Sequence, residues 1–523
     1  MQESVPLEPG VHAIAVLDEK DNGVPELQLS WSRDQGRLEP IPAWALAPRR
    51  PAFSRFGAIV ILRRSVSAAA WLWAMVLAGT LVGTAHRRIR ARVIDSGAIE
   101  IGFVLSALGL LFLVTPFAIE GDGALRFAAL SEFLAHGYVS PMAYSMIGPL
   151  ASAPLWWLGR SIGTSEWWCA RFNFAVFAIG LVCFYRALTP AVDRRTILQF
   201  LLLLAIGSMF PHHDSRYYGE VFTAVLVAVG IAFVAMKQQA WGWILAIAGV
   251  SNTPAALPGL ALASAWLAFR RRRLALVAPV VVALAVVLLE SWIRRGSPFI
   301  TGYEDNQGAT TVLPFSGRPG FSYPFAFGLL SILFSFGKGL VWFAPGLVLA
   351  VNRRSAVRAA DGDLVVAWLL FLTGLVVTYS KWWAWYGGDF WGPRFFLFAS
   401  IPAAYFIAQW LRSPRGPARV EVAGLACLAW SVWVGINGLV FGFEQPAICS
   451  ENHYALELLC WYTPEYSALF RPFAAPRSLS GADWAVVLFF SAAGLYLATA
   501  RALECQAQSK GRAESVVDTT PRT

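Results

Sequence analysis

The chain has 523 residues, of which 57% are apolar and 14% are charged, and its net charge is +10. Soluble domains are about 45–50% apolar, so this composition excludes a disordered protein, a disulfide-rich secreted domain and an ordinary cytosolic enzyme. The mean hydropathy of +0.55 and the 23 tryptophans, a residue type enriched at bilayer interfaces, instead predict an all-α polytopic membrane protein.

The first 97 residues divide into two parts. Residues 1–64 carry basic and acidic side chains in balance, with Pro and Gly throughout, so we expect a poorly ordered extension without a signal peptide at its start. Residues 65–85 are apolar and long enough to span a membrane. A basic linker follows them, and the basic residues on both flanks leave their orientation open. Because Met75 lies within this stretch, one hypothesis is a downstream translation start, which an N-terminal peptide from residues 1–60 of the purified protein would refute.

From residue 98 onward, apolar stretches recur along the chain. A transmembrane helix needs about 20 mostly apolar residues, and several of these stretches are shorter than that. The predicted spans are 98–118, 169–188, 196–211, 219–236, 240–255, 256–270, 274–292, 340–352, 364–380, 395–411, 420–441 and 483–500. The pattern predicts a bundle of about 12 transmembrane helices, with one more at the N-terminus if residues 65–85 insert.

The loops between these spans differ in charge and length on the two sides. One side has mostly short loops and most of the loop arginines and lysines, which identifies it as cytoplasmic by the positive-inside rule. The other side has three long loops, at 119–168, 293–339 and 442–482. We therefore expect these loops to face the periplasm or the cell exterior, with a cytoplasmic tail at 501–523.

The first long loop contains two membrane-associated segments. In residues 124–136, Ala124, Phe127, Leu130 and Leu134 recur at helical spacing while Arg126 lies on another face, which predicts a juxtamembrane helix along the membrane surface. Residues 142–158 are apolar but interrupted by prolines, so we interpret them as re-entrant or interfacial.

Two acidic residues follow the predicted span at 98–118 directly. Glu120 and Asp122 lie two residues apart in a Gly-flanked turn, where they could supply a general base or bind a divalent cation. A solvated loop end is the alternative interpretation of an isolated Glu-Gly-Asp.

A second polar cluster lies between the spans that end at residue 211 and begin at residue 219. His and acidic side chains there could ligate a metal, and Arg216 could bind a phosphate. Polar residues facing the membrane interface are the alternative. The candidates in this cluster are His212, His213, Asp214, Arg216 and Glu220.

The other candidates lie in Gly-rich turns. Tyr303 follows Gly302 in the middle long loop, and Lys338 lies between Gly337 and Gly339 at the end of that loop. A lysine in such a turn could bind phosphate, or it could be an interfacial anchor. Trp385, Asp389 and Arg394 belong to an aromatic stretch, in which Arg394 enters an apolar span and so requires an anionic partner.

The six cysteines are too scattered for a disulfide framework or a metal cluster. Cys449 and Cys460 share the 442–482 loop and would pair if that loop lies in an oxidising compartment. This loop could contribute to acceptor binding or could simply pack against the core.

Together these elements resemble the GT-C superfamily of membrane glycosyltransferases, which includes the protein O-mannosyltransferases and the enzymes that add aminoarabinose to lipid A. The resemblance covers roughly residues 95–415. It depends on four elements in the family's order: Glu120-Gly-Asp122 followed by an amphipathic helix; Ser215-Arg216 to Glu220; Gly296 to Tyr303 with Phe334 to Leu340; and Trp385 to Arg394. It implies a transmembrane catalytic module at 98–441, followed by an outward loop and a last helix at 442–500.

The resemblance implies a sugar donor on a polyprenyl phosphate and an acceptor hydroxyl on a lipid, glycan or protein. The reaction would be one inverting displacement, with Asp122 as the base. Arg394, Lys338 and Arg216 would stabilise the leaving phosphate, and Glu120 or Glu220 would orient these groups or help to hold a divalent metal cation.

Three departures from the family pattern leave the sugar open. Gly123 stands where relatives often carry an acidic residue, Phe336 replaces a proline, and we expect no counterpart of the large soluble C-terminal domain of some relatives.

Two other classes of protein share part of this pattern. A lipid or sugar flippase or transporter would also be polytopic and use charged residues near the membrane. A scaffold protein would explain the large outward loops, but not an Asp, a Lys and an Arg each set in a Gly-rich turn. Nucleic acid is not an expected partner; membrane lipids are.

Overall fold

A computed structural model describes residues 30–31, 39–40, 96–304, 310–312, 315–352, 361–388, 390–444 and 446–518. The chain divides into two units, Met1–Trp73 and Ala74–Thr523. In the first unit, strands β1 (Ser30–Trp31) and β2 (Glu39–Pro40) pair antiparallel. The rest of the predicted extension and the predicted span at 65–85 lie outside the described residues.

The described regular structure of the second unit is helical, with an isolated parallel bridge between Ala118 and Arg216 and a bridge residue at Pro319. Its α-helices are α1 (Ser96–Val114), α2 (Asp122–His136), α3 (Ile147–Ala151), α4 (Ala153–Ser161), α5 (Ser165–Cys169), α6 (Phe172–Leu188), α7 (Arg194–Ile206), α8 (Phe210–His213), α9 (Gly219–Lys237), α10 (Gly242–Asn252), α11 (Leu257–Arg271), α12 (Ala278–Arg295), α13 (Phe325–Phe334), α14 (Leu340–Phe343), α15 (Gly362–Tyr379), α16 (Ser400–Arg412), α17 (Ala418–Val440), α18 (Glu451–Tyr454), α19 (Glu457–Tyr462), α20 (Arg471–Ala474) and α21 (Gly481–Asp518). Short 3-10 helices cover Pro254–Ala256, Leu274–Val277, Pro345–Asn352, Arg394–Ala399, Ala447–Cys449 and Pro464–Tyr466.

Among the described residues, 8 helical segments are long and apolar enough to cross a membrane. They are Gly97–Val114, Ser165–Leu188, Gly219–Lys237, Leu274–Arg295, Gly362–Tyr379, Arg394–Arg412, Ala418–Val440 and Gly481–Leu503. The protein is therefore a polytopic helical membrane protein, as its composition predicts.

The other four predicted spans are helical but short. Helix α7 has 13 residues, α10 has 11 and α11 has 15, while the predicted span at 340–352 is α14 followed by a 3-10 segment. Prolines account for two of these interruptions, because Pro254 and Pro345 begin 3-10 helices and proline lacks the N–H that would continue an α-helix.

The candidate spans differ in how far the protein itself surrounds them. In Gly219–Lys237 and Arg394–Arg412, 83% and 89% of residues are buried, against 17% in Leu274–Arg295. The first two are therefore central in the bundle, and the third faces outward. Helix α9 packs against α6 and α10, and α16 packs against α7.

The first long loop folds into four helices, α2 to α5. Helix α2 confirms the helix predicted at 124–136, and α3 and α4 are too short to span a membrane, in agreement with the interfacial interpretation of 142–158. These helices pack against α6 and α9 through a buried cluster that includes Leu130, Trp156, Phe172 and Phe222.

The two ends of the bundle are built differently. At one end, ion pairs connect neighbouring helices: Arg195 with Glu100, Arg412 with Asp193, Arg270 with Asp363, and Arg501 with Glu421. At the other end, the three long loops contact one another. The Tyr144 ring lies 6.3 Å from the Tyr303 ring, and the Gly337 N–H donates to the Trp461 carbonyl at 3.0 Å. The candidate site lies at this second end.

Candidate functional site

Asp122 is the first residue of α2 and follows Gly121, whose backbone has φ of 53°. A carboxylate in the first turn of a helix is favoured by the unpaired N–H groups there. Oδ2 of Asp122 lies 2.8 Å from Nη1 of Arg394. The side chain of Asp122 is 22% exposed and that of Arg394 only 9%, so the carboxylate is the more accessible member of this pair.

Arg394 lies between two carboxylates. Its Nη1 is also 3.6 Å from Oε1 of Glu220, in the first turn of α9. The guanidinium lies over the Phe390 ring at 4.3 Å and near the Tyr218 ring at 5.5 Å. The structure thus brings together three charged residues, one buried cation and two acids, that are each at least 98 positions apart in the chain. Aromatic rings line the same place.

The segment before Arg394 requires glycine. Gly387 and Gly388 have φ of 79° and 81°, which disfavour any side chain. A Cβ on Gly387 would lie 2.9 Å from Cγ of Arg394. This turn places the arginine side chain directly against the backbone.

The electrostatic surroundings of Asp122 keep it ionised. Burial by itself raises the pKa of Asp122, but the Arg394 charge, a hydrogen bond from Tyr144 and the Arg126 charge outweigh it and lower the pKa below its usual value. Burial and the nearby Asp122 raise the pKa of Tyr144, so its phenol remains a hydrogen-bond donor. An anionic carboxylate with a fixed donor beside it can accept a proton.

Tyr144 is held in place by α12. Nη1 of Arg294 donates to the Tyr144 carbonyl at 2.7 Å, and Glu290 accepts from the Ser145 hydroxyl at 2.8 Å and the Met146 N–H at 2.7 Å. Arg295 donates to the Met142 carbonyl at 2.6 Å. This end of α12 therefore fixes the loop that carries Tyr144 to Asp122.

Arg126 is a site residue that the sequence pattern does not identify. It lies one turn after Asp122, is 8% exposed, and stacks over the Tyr144 ring at 4.8 Å. Within the described part of the chain it forms no ion pair with a carboxylate. The predicted surface helix suggested a polar face for this residue, whereas α2 packs so that Arg126 turns toward Tyr144 and Asp122. The four-residue spacing from Asp122 is the signal that could have indicated this.

Glu120 and Arg216 form a separate pair. Their Oε1 and Nη2 atoms are 2.9 Å apart, and Glu120 is 54% exposed. The Ala118 N–H donates to the Ser215 carbonyl at 3.0 Å, which holds the two loops together. The two carboxylates of the Glu-Gly-Asp turn thus face different guanidinium groups. In the ranges that the structure covers, no group of three or more His, Cys, Asp and Glu could hold a metal ion.

Lys338 is buried and directed at the backbone before Arg394. Its Nζ donates to the carbonyls of Gly388 at 3.1 Å and Gly392 at 3.0 Å, and to that of Phe390. It also lies 4.6 Å from the Trp461 ring. In this structure Lys338 therefore stabilises the turn between Gly388 and Gly392, and Arg394 is the cation at the carboxylates.

A disulfide closes the loop behind Lys338. Cys449 and Cys460 are bonded, which confirms the pairing considered from the sequence. Trp461 follows directly, stacks on Tyr386 at 5.0 Å, and accepts from the Gly337 N–H. A Cβ on Gly337 would lie 2.1 Å from the Cys460 carbonyl oxygen, so this close approach requires glycine.

We expect loss of this disulfide to destabilise the loop without affecting the spans. Replacing Cys449 and Cys460 by alanine should lower the free energy of unfolding by about 2–4 kcal/mol. Thermal unfolding of detergent-solubilised protein, with and without dithiothreitol, measures this. Cys183→Ala is the control, because Cys183 is free; a wild-type Tm that does not respond to the reductant would contradict the expectation.

The remaining predicted site residues do not belong to the ion pair of Asp122 and Arg394. Tyr303 packs between Tyr144 and Trp382, and burial raises its pKa. Trp385 is buried against Tyr386 and Tyr462. Asp389 lies outside the described residues.

The polar cluster after α8 faces the protein interior. Burial raises the pKa of Asp214 well above its usual value, and neither of its carboxylate oxygens has a hydrogen-bond partner in the described ranges. Burial lowers the pKa of His212 to about 3, and its Nδ1 lies 2.8 Å from the Gly438 carbonyl. His213 is buried beside it, and its pKa is likewise lowered by burial. Burial therefore disfavours the charged form of all three side chains, and the two histidine rings pack beside Trp391.

The fold and this site define a helical membrane protein with a buried arginine between two carboxylates at one end of its bundle. No family model and no curated protein match the chain. Among solved structures it is similar to ArnT from Cupriavidus metallidurans bound to undecaprenyl phosphate, with 15% identity, 82% of each chain covered and a TM-score of 0.47. The same protein in the apo state gives 16% identity, coverage of 77% of this chain and 76% of that one, and a TM-score of 0.46.

These similarities concern the fold alone. They assign no function to individual residues.

Proposed function

We propose that this protein is a membrane glycosyltransferase that moves a sugar from a polyprenyl-phosphate-linked donor to an acceptor hydroxyl on a lipid, glycan or protein. One observation carries the proposal: a buried arginine, Arg394, lies at the end of the bundle against Asp122 at 2.8 Å and Glu220 at 3.6 Å. A buried cation beside an accessible carboxylate supplies both a phosphate ligand and a proton acceptor.

The surroundings of Arg394 suit a lipid phosphate. Next to it is a small cavity whose lining combines Glu220, Thr223 and Arg394 with apolar side chains that include Phe371, Leu375 and Phe398. A lipid phosphate combines the same two properties, since its head group is anionic and its chain is apolar. The cavity therefore fits the junction between the two.

The proposed reaction is a single inverting displacement. The acceptor oxygen attacks the anomeric carbon, the bond from that carbon to the phosphate oxygen breaks, and the acceptor proton passes to Asp122. Negative charge grows on the departing phosphate, and Arg394, aided by the nearby Arg126, stabilises it. Because Arg394 pairs with Asp122 in this structure, the donor phosphate must share or replace that pairing, which frees the carboxylate to act as a base.

The charge asymmetry of the loops supports an orientation. Most loop arginines lie at the end with the interhelical ion pairs, which the positive-inside rule assigns to the cytoplasm. The candidate site is at the opposite end, and the disulfide there fits an oxidising compartment. We therefore propose that the protein lies in the cytoplasmic membrane, with its site facing the periplasm or the cell exterior.

The first test is binding of undecaprenyl phosphate to the purified protein in nanodiscs. Arg394→Ala should weaken binding by about 10-fold or more, because a charge-assisted contact to phosphate is lost. Arg394→Lys should retain part of it. Arg160→Ala, an exposed arginine on α4, is the matched control, and equal affinities for all variants would remove Arg394 from the donor site.

Turnover distinguishes a transferase from a flippase. The protein is incubated with undecaprenyl phosphate carrying radiolabelled mannose, glucose or aminoarabinose, together with an envelope lipid and glycan extract. Label transferred covalently to an acceptor supports the proposal. Movement of the donor across proteoliposomes without covalent transfer would overturn it in favour of a flippase.

A further inference from the structure

Arg171 is a charged residue inside a candidate membrane span. It directly precedes α6 and belongs to the span Ser165–Leu188. The start of α6 lies at the same end of the bundle as the candidate site, since the Asn173 side chain donates to the carbonyl of Arg216 at 2.6 Å. A charged side chain within a span normally has an anionic or polar partner, so the surroundings of Arg171 indicate what it binds.

No carboxylate pairs with Arg171 within the described ranges. Arg294 and Arg394, at the same end of the bundle, each pair with an acidic side chain. Nη1 of Arg171 donates to the Trp167 carbonyl at 2.7 Å, whereas its buried Nε has no hydrogen-bond acceptor among the described residues. The positive charge of Arg171 is therefore not compensated by the described part of the chain.

Aromatic rings hold the Arg171 guanidinium in place. Its central carbon lies 3.6 Å from the centre of the Trp167 ring, 4.8 Å from that of Phe117 and 5.8 Å from that of Phe112. Aromatic faces attract and orient a cation but carry no net charge. The guanidinium is thus fixed in position and still requires an anion.

The same rings connect the outward ends of α1 and α6. The Phe112 ring, in the last turn of α1, lies 5.6 Å from the Phe174 ring in the first turn of α6, and Phe117 packs on both. We call Phe112, Phe117, Trp167, Arg171 and Phe174 the Arg171 cluster. Phe112 is 42% exposed and Trp167 45%, so the cluster forms part of the protein surface.

The surface of α1 and α6 next to the cluster is apolar. Leu105 and Leu113 on α1, and Ile179 and Val182 on α6, are all exposed, and each of the two candidate spans is only 44% buried by the protein. Leu105 precedes Phe112 by two helical turns, or about 10 Å along the axis. A cation at the end of an apolar, membrane-facing surface matches a phospholipid, whose anionic phosphate lies at the end of its acyl chains.

We propose that the Arg171 cluster binds an anionic phospholipid in the leaflet on the side of the candidate site. The phosphate pairs with Arg171, and the acyl chains lie along the exposed apolar side chains of α1 and α6. None of the five cluster residues lines the cavity beside Arg394, so this lipid site is separate from the proposed donor site. The inference goes beyond the proposed function and does not depend on sugar transfer.

The bound lipid would stabilise the loop that leads to Asp122. Phe117, a member of the cluster, directly precedes Ala118, whose N–H donates to the Ser215 carbonyl at 3.0 Å. Asp122 follows four residues after Ala118. A head group that fixes Arg171 and Phe117 therefore also restrains the start of this loop.

Photolabelling of the detergent-solubilised wild-type protein tests the site. A phosphatidylglycerol analogue with a diazirine in its head group should label peptides within residues 105–118 and 165–182. Unlabelled phosphatidylglycerol should prevent this labelling at about 10-fold lower concentration than phosphatidylcholine with the same acyl chains, because only phosphatidylglycerol has a net negative charge. Inorganic phosphate, which has no acyl chains, should not compete.

Substitution of Arg171 tests its role directly. Arg171→Ala should reduce labelling of these peptides by about 10-fold, because the charged hydrogen-bond donor to the phosphate is lost, and Arg171→Lys should retain part of it. Arg160→Ala is the matched control, since Arg160 also lies over a tryptophan ring, at 5.2 Å from that of Trp156. Wild-type labelling of Arg171→Ala would overturn the proposal. If that variant does not fold, equal competition by the two phospholipids on the wild-type protein would overturn it as well.

Undecaprenyl phosphate, used as a third competitor, separates this site from the donor site. If it prevents the labelling at lower concentration than phosphatidylglycerol, the Arg171 cluster belongs to the donor path and the phospholipid proposal fails. If labelling and competition are as expected but no sugar is transferred, the phospholipid site stands and the transferase proposal fails.

Discussion

Replacing Asp122 by asparagine is expected to lower kcat for sugar transfer by about 10²–10⁴-fold, the usual contribution of a general base. Asparagine keeps the shape of the side chain and can still accept the hydrogen bond from Tyr144, but it cannot take the acceptor proton. Because the substitution also removes one of the two carboxylates beside Arg394, affinity for undecaprenyl phosphate should stay the same or rise. Initial rates at saturating donor, with binding measured in parallel, test both parts.

The pH dependence of the wild-type enzyme adds an independent measurement. In the free protein the pKa of Asp122 lies below its usual value, because the Arg394 charge and the Tyr144 hydrogen bond outweigh burial. When the donor phosphate shares Arg394, burial is opposed less strongly and the pKa should rise. The acid limb of kcat, which reports the complex, should therefore lie at higher pH than the acid limb of kcat/KM, which reports the free enzyme.

Tyr144→Phe serves as the matched control for this assignment. It removes one hydrogen bond to Asp122 and leaves the carboxylate, so we expect a loss of about 10-fold, with the acid limb of kcat/KM moved toward higher pH. Near-normal transfer by Asp122→Asn would eliminate the residue as the base. Coincident acid limbs for kcat and kcat/KM would instead eliminate the exchange of Arg394 between carboxylate and phosphate.

The fold could be predicted from hydropathy because, in the described part of the chain from residue 96 onward, each apolar stretch of sufficient length forms a helix. The predicted bounds at 219–236 and 420–441 differ from α9 and α17 by only one or two residues. The helix bounds within 240–270 were harder to predict, because hydropathy does not indicate that a 3-10 helix beginning at Pro254 separates two short α-helices. Local sequence patterns thus indicate where helices form, whereas the length of each helix depends on individual backbone hydrogen bonds.

The site could be predicted in part. The sequence predicts Asp122 as a base, Glu220 as an orienting or metal-holding group, and Arg394 as a charge in an apolar span that needs an anionic partner. The structure brings these three together. Arg126 was missed, because its place on a predicted surface helix was interpreted as a polar face, although its four-residue spacing from Asp122 puts both side chains on one side of that helix. The contacts of Lys338 could not be predicted either. Its hydrogen-bond acceptors are backbone carbonyls 50 to 54 positions away, and because every residue has a backbone carbonyl, the residue types do not indicate which ones accept.

Replacing Lys338 by methionine is expected to lower both stability and donor binding. The methionine side chain is similar in length but has no N–H, so the carbonyls of Gly388, Phe390 and Gly392 lose a charged donor. A buried polar group left without a partner costs about 1–3 kcal/mol, and we expect the free energy of unfolding to fall by about 2–5 kcal/mol. Undecaprenyl phosphate should bind at least 10-fold more weakly, because the turn that positions Arg394 is loosened.

The measurement that distinguishes support of the turn from direct phosphate binding is thermal unfolding without any donor. If Lys338 acts through the turn, Lys338→Met unfolds at lower temperature than wild type even when no undecaprenyl phosphate is present. Lys381→Met is the matched control, since it makes the same change at an exposed lysine at the same end of the bundle, and it should leave Tm and donor affinity unchanged. A Lys338→Met protein with wild-type Tm and weakened donor binding would instead make Lys338 a direct ligand of the phosphate, and Arg394 would then share that role.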